Sequence, residues 1–584
     1  MGRCFGFPTI SRGKQVPIRG NDSVPYLTQQ IIPYIGNKRR LLPLIKRAIQ
    51  CADPSGERGG RFLDLFSGSG VVSRLAKYLG YEVYANDWEY YSYLLIYAYI
   101  CIDNSELKEM YGLWGGIEGI LSHLNGLPHP APQNQYISRY FCPKDDMRPD
   151  YRTERLFYTR LNGLFIDKVR NEIDKLYPER ESTKSEKLHK EKTLLIALLL
   201  HGAATHTNTS GVFKAYHKGF GGLSSDALGR IMKPITLVYP QLIDSELRMR
   251  AYKEDANIIV KAGTFSGRPF DIVYIDPPYN QHQYGSNYHL LNTIALWDTI
   301  PLNESLSPGE PRQNRGGIRK DWVKTRSDYC YKDKALRAFE DLIENINAKS
   351  ILISYSTEGT IPFDRMISIC AERGKVNLVT DEYVKYRGGR QSLYHLNNNV
   401  EFVIIVDTTR RSVRRDLQRI DESILYRKLL LQAKKCYSRK RFEEYFRVAP
   451  AAPSIGFKEG GTDVTIGTRG LYRIDERSFE SVVNALSGKA KKKLLELLLL
   501  CECRDMAEEI DETIRVLDEC DDSLQFITAL PTALKKICHR KYRDLFYDYL
   551  RKIKQLRERH PSPYSRIEGK IAEIEDLGRK RFNA

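Results

Sequence analysis

The sequence predicts an α/β protein: a doubly wound, Rossmann-like sheet interrupted by a large insert and followed by a basic, mostly helical extension. Three stretches predict the sheet. Arg61-Phe62-Leu63-Asp64-Leu65-Phe66-Ser67-Gly68-Ser69-Gly70 reads as a strand running into a glycine loop, with a helix from Val71 to Leu79 behind it. Tyr81 to Ala85 reads as a second strand that closes on Asn86-Asp87-Trp88. Asp271 to Ile275 is a short apolar run that stops at Asp276-Pro277-Pro278-Tyr279, as a buried strand does where two prolines forbid its continuation.

At 584 residues the chain exceeds one ordinary core, and two or three domains are expected. The composition, 42% hydrophobic and 28% charged, is that of a globular protein, and the formal net charge of +18 points to a polyanionic partner, nucleic acid before a membrane surface. The eleven cysteines include no Cys-x-x-Cys pair, and Cys501 and Cys503 lie in a helix-like run without histidines at ligand spacing. They read as reduced thiols, and no metal site is expected. Without a run of 18 apolar residues or a signal-peptide core, the expectation is a soluble protein of the prokaryotic cytosol or nucleoid, with no membrane partner.

Residues 1–28 read as a flexible lead-in. In Tyr34-Ile35-Gly36-Asn37-Lys38, Gly36 permits a tight turn, and Lys38 lies near a helix start where an ammonium and backbone N–H groups can hold a carboxylate. The glycines of the next loop let a ligand approach the backbone. An acid closing the second strand, about 20 residues after a glycine loop, is where a doubly wound fold holds a ribose. Asp87 occupies that place, although an acid there also caps a following helix. The order strand, glycine loop, helix, strand, acid favours a nucleoside-containing cofactor.

Asp276-Pro277-Pro278-Tyr279 places a carboxylate at the end of an apolar strand, on a stiff loop whose carbonyls are free to accept. Two acceptors, the Asp276 carboxylate and the Pro277 carbonyl, can take both N–H bonds of an exocyclic amine and turn its lone pair toward an electrophile. Tyr279 offers a flat face for the base, a stacking contact of about 1–3 kcal/mol.

Taken in order, Tyr34–Lys38, Asp64–Gly70 and Asp276–Tyr279 resemble the motifs of the Dam-like class of adenine-specific DNA methyltransferases, with the cofactor motifs first and the target-recognition region inserted before the catalytic motif. The resemblance spans roughly residues 29–407. It implies a seven-stranded methyltransferase sheet, S-adenosylmethionine as methyl donor, duplex DNA as partner and N6 of adenine as acceptor. By motif, Tyr34, Lys38 and the loop carrying Asp64, Phe66, Gly68 and Gly70 would lie around the methionine part, Asp87 would hold the ribose hydroxyls, and Asp255 would lie near the cofactor adenine unless it is only a helix cap. Asp276, Pro277, Pro278 and Tyr279 would take the target base. His282 and His289 are not read as general bases, because the attacking nitrogen can lose its proton after transfer.

The catalytic domain is expected over 29–104 and 250–407, with the target-recognition insert at 105–249. In the insert, a helix is predicted from Phe157 to Ile173 with Arg160, Lys168 and Arg170 exposed, and Tyr177 to Lys192 reads as a solvated loop or helix edge. Thr205 to Gly219 mixes hydroxyls, amide, aromatics and lysines. There Asn208, Ser210, Phe213, Lys214, Tyr216 and Lys218 are the candidate DNA contacts, with an aromatic for insertion. Pro301 to Asp328 reads as a mobile loop. Residues 408–584 open on Arg410, Arg411, Arg414, Arg415 and Arg419, continue as helices broken by the Pro/Gly/Thr-rich stretch Ala449–Gly470, and lie outside the resemblance. They read as an added DNA-binding module or a docking domain for a partner such as a cognate restriction endonuclease. The competing readings are the same chemistry on RNA adenine or cytosine N4, and a non-catalytic DNA-binding regulator.

Overall fold

The computed structural model describes all residues except 1–23, 223–226, 266, 308, 381–399, 450–451, 460–461, 470–472, 520–525 and 584. The lead-in therefore lies outside the described residues as far as residue 23. Its last part is not loose: Pro25–Thr28 forms a helical turn, Tyr26 is buried, and its hydroxyl donates to the carbonyl of Tyr99 at 2.8 Å.

Seven strands form one sheet: β1 (Arg61–Asp64), β2 (Glu82–Asn86), β3 (Arg250–Tyr252), β4 (Phe270–Ile275), β5 (Ala348–Ser356), β6 (Lys375–Thr380) and β7 (Glu401–Asp407). Their order is β3-β2-β1-β4-β5-β7-β6. The first five run parallel, and β7 lies antiparallel between β5 and β6. Strands buried on both faces carry continuous apolar runs. Alternation sends Ile272, Tyr274, Leu352, Val403 and Ile405 to one face, under the helices α1 (Leu42–Ala52) and α2 (Val71–Tyr78). Val273, Ile275, Ile351, Ile353, Ile404 and Val406 go to the other, under helices carrying Phe339, Leu342, Met366 and Ile420. At about 1.5–3 kcal/mol per buried aliphatic side chain, these two layers supply most of the driving force for this domain.

The chain order changes direction at β1, where β2 lies on one side and β4 on the other. The crevice at the carboxyl ends of such strands is where doubly wound folds bind ligands. The segment between β2 and β3 builds a helical layer around α3 (Glu186–His206), which is apolar on all sides from Leu194 to Leu200. This layer shares its core with Tyr91 and Leu94 after β2 and with Leu290, Leu291 and Ile294 after β4.

Four expectations change here. The helix predicted from Phe157 forms as Arg160–Leu176, but Arg170 is buried: its guanidinium donates to the carbonyls of Ile294 and Ala295 and pairs with Asp174. Those carbonyls end the helix His289–Leu296 and need a donor, which an arginine from a neighbouring helix supplies. The stretch 177–192 is not simply solvated, since Glu191 and Lys192 are buried at the start of α3. The Pro301–Asp328 region, read as a loop, contains the helical turns Arg312–Gly316 and Lys320–Thr325, and Arg155 donates to the carbonyls of Asn303, Asn314 and Arg315. Lastly, the Ala449–Gly470 divider contains β8 (Ser454–Glu459) and β9 (Thr462–Arg469), which with β10 (Arg473–Ile474) form an antiparallel sheet. The extension is otherwise helical, and it holds two cores of its own, around Phe442, Ile455 and Leu494 and around Ile510, Leu534 and Phe546. No helix among the described residues is long and apolar enough to cross a membrane.

Candidate active site

The three motifs meet at the carboxyl edge of β1 and β4. After β1 the chain turns through Gly68 and Gly70, both left-handed, with φ of +55° and +74°. A Cβ on Gly68 would lie 2.7 Å from the Tyr34 ring, so only glycine fits this approach. Tyr34 in turn stacks on Tyr288, with centroids 5.1 Å apart, and leans on Tyr284 at 5.2 Å. Ile35 fixes both rings, donating its N–H to the Tyr288 hydroxyl at 2.7 Å and accepting from the Tyr284 hydroxyl at 3.1 Å. Burial holds the Tyr34 and Tyr284 phenols well above their ordinary pKa, so they stay neutral. Asn37 donates to Ser69 at 3.3 Å and completes the seam to the glycine loop.

Lys38 leaves this seam for the catalytic motif. Its ammonium lies 2.9 Å from Asp276 Oδ1 and 4.9 Å from the centre of the Tyr279 ring. Both partners of the ion pair are largely withdrawn from water, at 4% and 16% exposure. Burial raises the Asp276 pKa, and the ammonium opposes that rise. Pro277 is buried, and the Tyr279 carbonyl accepts the N–H of Thr360 at 3.2 Å. The Tyr279 ring meets Tyr355 edge-on at 5.6 Å.

On the cofactor side, Asp64 is buried. Its Oδ2 accepts the Ser73 hydroxyl at 2.6 Å, while Oδ1 has no hydrogen-bond partner among the described residues. Burial pushes its pKa up to about 7, against the Ser73 hydrogen bond. Such an orphaned oxygen suits a cationic donor, and the α-ammonium of an amino acid is one. Asp87 clips the loop: its carboxylate accepts the N–H of Gly68 at 2.8 Å and of Glu89 at 2.9 Å, and burial lifts its pKa to about 6. Phe66 packs edge-on to Tyr329 at 5.4 Å, and the Tyr329 hydroxyl donates to Asn257 at 2.9 Å. Asp255 caps the helix Ala256–Lys261, its Oδ1 accepting the N–H of Asn257 at 2.8 Å and of Ile258 at 3.1 Å.

His289 is fully buried against the Phe213 carbonyl at 2.9 Å, and burial pushes its pKa down to about 3. It is neutral, and a proton-abstracting role has no support in its surroundings.

The recognition loop divides. Asn208 is buried with its amide committed to the carbonyls of Leu156 and His217 and to the N–H of Gly221. Phe213 is fully buried in the core that holds Tyr288. Both side chains, read as DNA contacts, are withdrawn from solvent: the amide pins the loop and the aromatic anchors it. Tyr216 is half-buried, packed on Phe157 with its hydroxyl donating to the Glu154 carbonyl at 3.0 Å. Lys214 is also half-buried, and Ser210 and Lys218 face solvent. Lys218 shares the Tyr151 ring with Arg152, at 5.0 and 5.4 Å. The loop sits directly on the catalytic segment, since Phe213 donates its N–H to the carbonyl of Asn287 at 2.7 Å.

Two buried acids escaped sequence reasoning. Glu89 accepts from the Asn292 amide at 2.6 Å, and burial pushes its pKa to about 7. Glu401, the first residue of β7, is buried with Oε2 unpartnered among the described residues. Position relative to Asp87 could have flagged the first; the second needed the strand register.

A profile of the D12 class N6 adenine-specific DNA methyltransferases matches residues 34–303, from Tyr34 through the catalytic motif. The type II methyltransferase M.NlaIII of Neisseria lactamica is 33% identical over 381 residues, 64% of this chain and 99% of that protein. The modification methylase LlaI of Lactococcus lactis subsp. lactis is 30% identical over 384 residues, 64% of this chain and 54% of that protein. The type II methyltransferase M.FokI of Planomicrobium okeanokoites is 34% identical over 345 residues, 58% of this chain and 47% of that protein. No solved structure matches this chain. With near-complete coverage of one such relative and the three motifs gathered at one sheet edge, the chain belongs to the D12 class of N6 adenine-specific DNA methyltransferases.

Proposed function

We propose that this enzyme moves the methyl group of S-adenosylmethionine to N6 of an adenine swung out of a specific duplex DNA sequence, as the modification member of a restriction-modification system. The observation that carries the reading is the juxtaposition of Asp276 and Tyr279 with the glycine loop through Tyr34–Lys38.

S-adenosylmethionine supplies an electrophilic methyl on a sulfonium. Its fit rests on the orphaned Asp64 Oδ1, an acceptor for the α-ammonium, and on the backbone approach that Gly68 permits. Phe66 and the Tyr329–Asn257 pair would line the adenine side, and Asp87 would offer its remaining lone pairs to the ribose. Taking the target base out of the stack costs a few kcal/mol, and stacking on Tyr279 returns about 1–3 kcal/mol. The Asp276 carboxylate and the Pro277 carbonyl accept the two N–H bonds of N6, which aims the lone pair away from the ring. The neutral tyrosines Tyr34 and Tyr284 exclude water without adding charge. No side chain needs to deprotonate the amine first; the proton leaves after the carbon–nitrogen bond has formed. The exposure of Lys218 and Ser210 supports their reading as DNA contacts, and the basic extension is the candidate docking surface for further DNA or an endonuclease partner.

Incubation with tritiated S-adenosylmethionine and mixed-sequence plasmid, followed by nucleoside analysis, tests the reading. Label is expected in N6-methyldeoxyadenosine, and Asp276→Ala should abolish it while cofactor still binds. Label confined to cytosine would replace the substrate, no label in DNA with cofactor bound would point to RNA, and turnover retained by Asp276→Ala would reject the mechanism.

A further inference from the structure

Strand register lines up side chains along one face of the sheet at its catalytic edge. Ile275 pairs with Ile353, Ser354 with Val403 and Ser356 with Glu401. Tyr274, Leu352 and Val403 share the core under α1. Side chains alternate along a strand, so Asp276, Ser354 and Glu401 fall on that same face. Two acids, one on β4 and one on β7, therefore flank β5 beneath the segment that leads into α1. That segment carries Lys38, whose ammonium is attracted by both. It rests on Asp276 Oδ1 at 2.9 Å, while Glu401, 5% exposed, keeps Oε2 buried and unpartnered among the described residues.

This arrangement conflicts with the chemistry if it is static. N6 becomes cationic as the methyl group arrives, and an ammonium on the carboxylate that receives N6 opposes that charge. It also competes for the oxygen the amine must use. We propose that Glu401 receives the Lys38 ammonium when the target amine takes Asp276, which makes Glu401 a positioning residue for methyl transfer. The Lys38–Asp276 ion pair opens, an N–H···Oε2 contact to Glu401 forms, and no proton changes owner. A buried acid left without a donor costs stability, so its retention here is consistent with use in a second state. The carboxyl of Glu401 is raised by burial, lowered by Lys38 and raised by Asp276, as a group facing both requires.

The inference rests on the adenine-methylation reading above, and the experiment separates the two. Single-turnover methylation is measured for wild type, Glu401→Gln, Lys38→Met and the double variant, with S-adenosylmethionine affinity measured by calorimetry in parallel. Glu401→Gln should slow transfer at least tenfold with cofactor affinity within threefold of wild type. In the Lys38→Met background the same change should cost less than twofold, because no ammonium remains to be moved. If Glu401→Gln does not bind cofactor, Glu401→Asp replaces it in the same cycle, with an expected loss of about threefold that again vanishes with Lys38→Met. A Glu401→Gln rate within twofold of wild type, or an equal loss in both backgrounds, overturns the role of Glu401 and leaves the adenine reading standing. Wild-type enzyme that puts no label into adenine overturns both.

Discussion

If Asp64 holds the cofactor's α-ammonium as proposed, cofactor binding should be acid-sensitive. The Asp64 pKa is pushed up to about 7 because the carboxylate is buried, with the nearby charges of Asp276 and Asp87 adding to the rise against the Ser73 and Ser67 hydrogen bonds. If Oδ1 holds the α-ammonium, only the ionised form binds well. With a pKa near 7, the ionised fraction rises about twentyfold between pH 5.5 and 7.5, and affinity should rise by the same factor. Keeping below pH 7.5 avoids titration of the ligand's own amino group, whose pKa is about 8. Asp87 and Glu89 also titrate near this range, so the comparison is with Asp64→Asn, which should bind more weakly and lose most of the slope. Stability should move the opposite way. A carboxyl whose pKa is higher folded than unfolded destabilises the fold in its ionised form. The cost grows as pH rises from about 4 to about 7 and is then complete, at about 4 kcal/mol for this gap. The apo Asp64→Asn variant should therefore unfold at higher temperature than wild type at pH 7.5 and at nearly the same temperature at pH 4.5. Isothermal titration and thermal melts across this range check both halves. Wild-type affinity flat to within threefold, or an Asp64→Asn variant with the wild-type slope, would refute the assignment.

Phe213→Ala should cost about 3–5 kcal/mol of stability, measured by urea denaturation, because the ring is a core anchor; an unchanged midpoint with weakened DNA binding would restore the contact role. Lys218→Ala should leave the melting temperature unchanged and reduce the salt slope of DNA affinity by about one; an unaltered slope would remove it from the DNA surface. Gly68→Ala should weaken cofactor binding and destabilise the loop by at least about 1–2 kcal/mol, from the left-handed backbone alone and with the Tyr34 clash in addition. Cofactor affinity equal to wild type would mean that the Tyr34 ring gives way without disturbing the loop.

The motifs were legible because each is a local pattern. A strand ending in glycines, an acid closing the next strand and an apolar run stopped by two prolines can each be read from neighbouring residues. The apolar, β-branched run from Phe402 to Val406 is a local pattern of the same kind and forms most of β7. Inside and outside were not legible in the recognition loop, where no periodicity separates Asn208 and Phe213 from Ser210 and Lys218. Arg170 was read as exposed from its type, yet the ends of a neighbouring helix needed its donors. In Ser454–Glu459 the period-two burial of Ile455 and Phe457 was present in the sequence, but the glycine- and proline-rich surroundings outweighed it. Nothing local marks Glu401 at the start of an apolar strand; only pairing with Ser356 puts it at the catalytic edge.

The insert leaves the sheet after Asn86 and returns at Arg250, and these are neighbours: Tyr84 pairs with Arg250 and Asn86 with Tyr252. Because the strands are parallel, the insert re-enters beside Tyr84, two residues back from its exit, so its two ends are about 8 Å apart, and a foreign segment could be spliced in without stretching β2 or β3. The constraint on such an exchange is the shared core, because Tyr91, Leu94, Leu290 and Ile294 belong to the host and face the guest. A cassette carrying a complementary apolar surface for those four residues should transplant target preference between relatives while the methyl-transfer machinery stays in place.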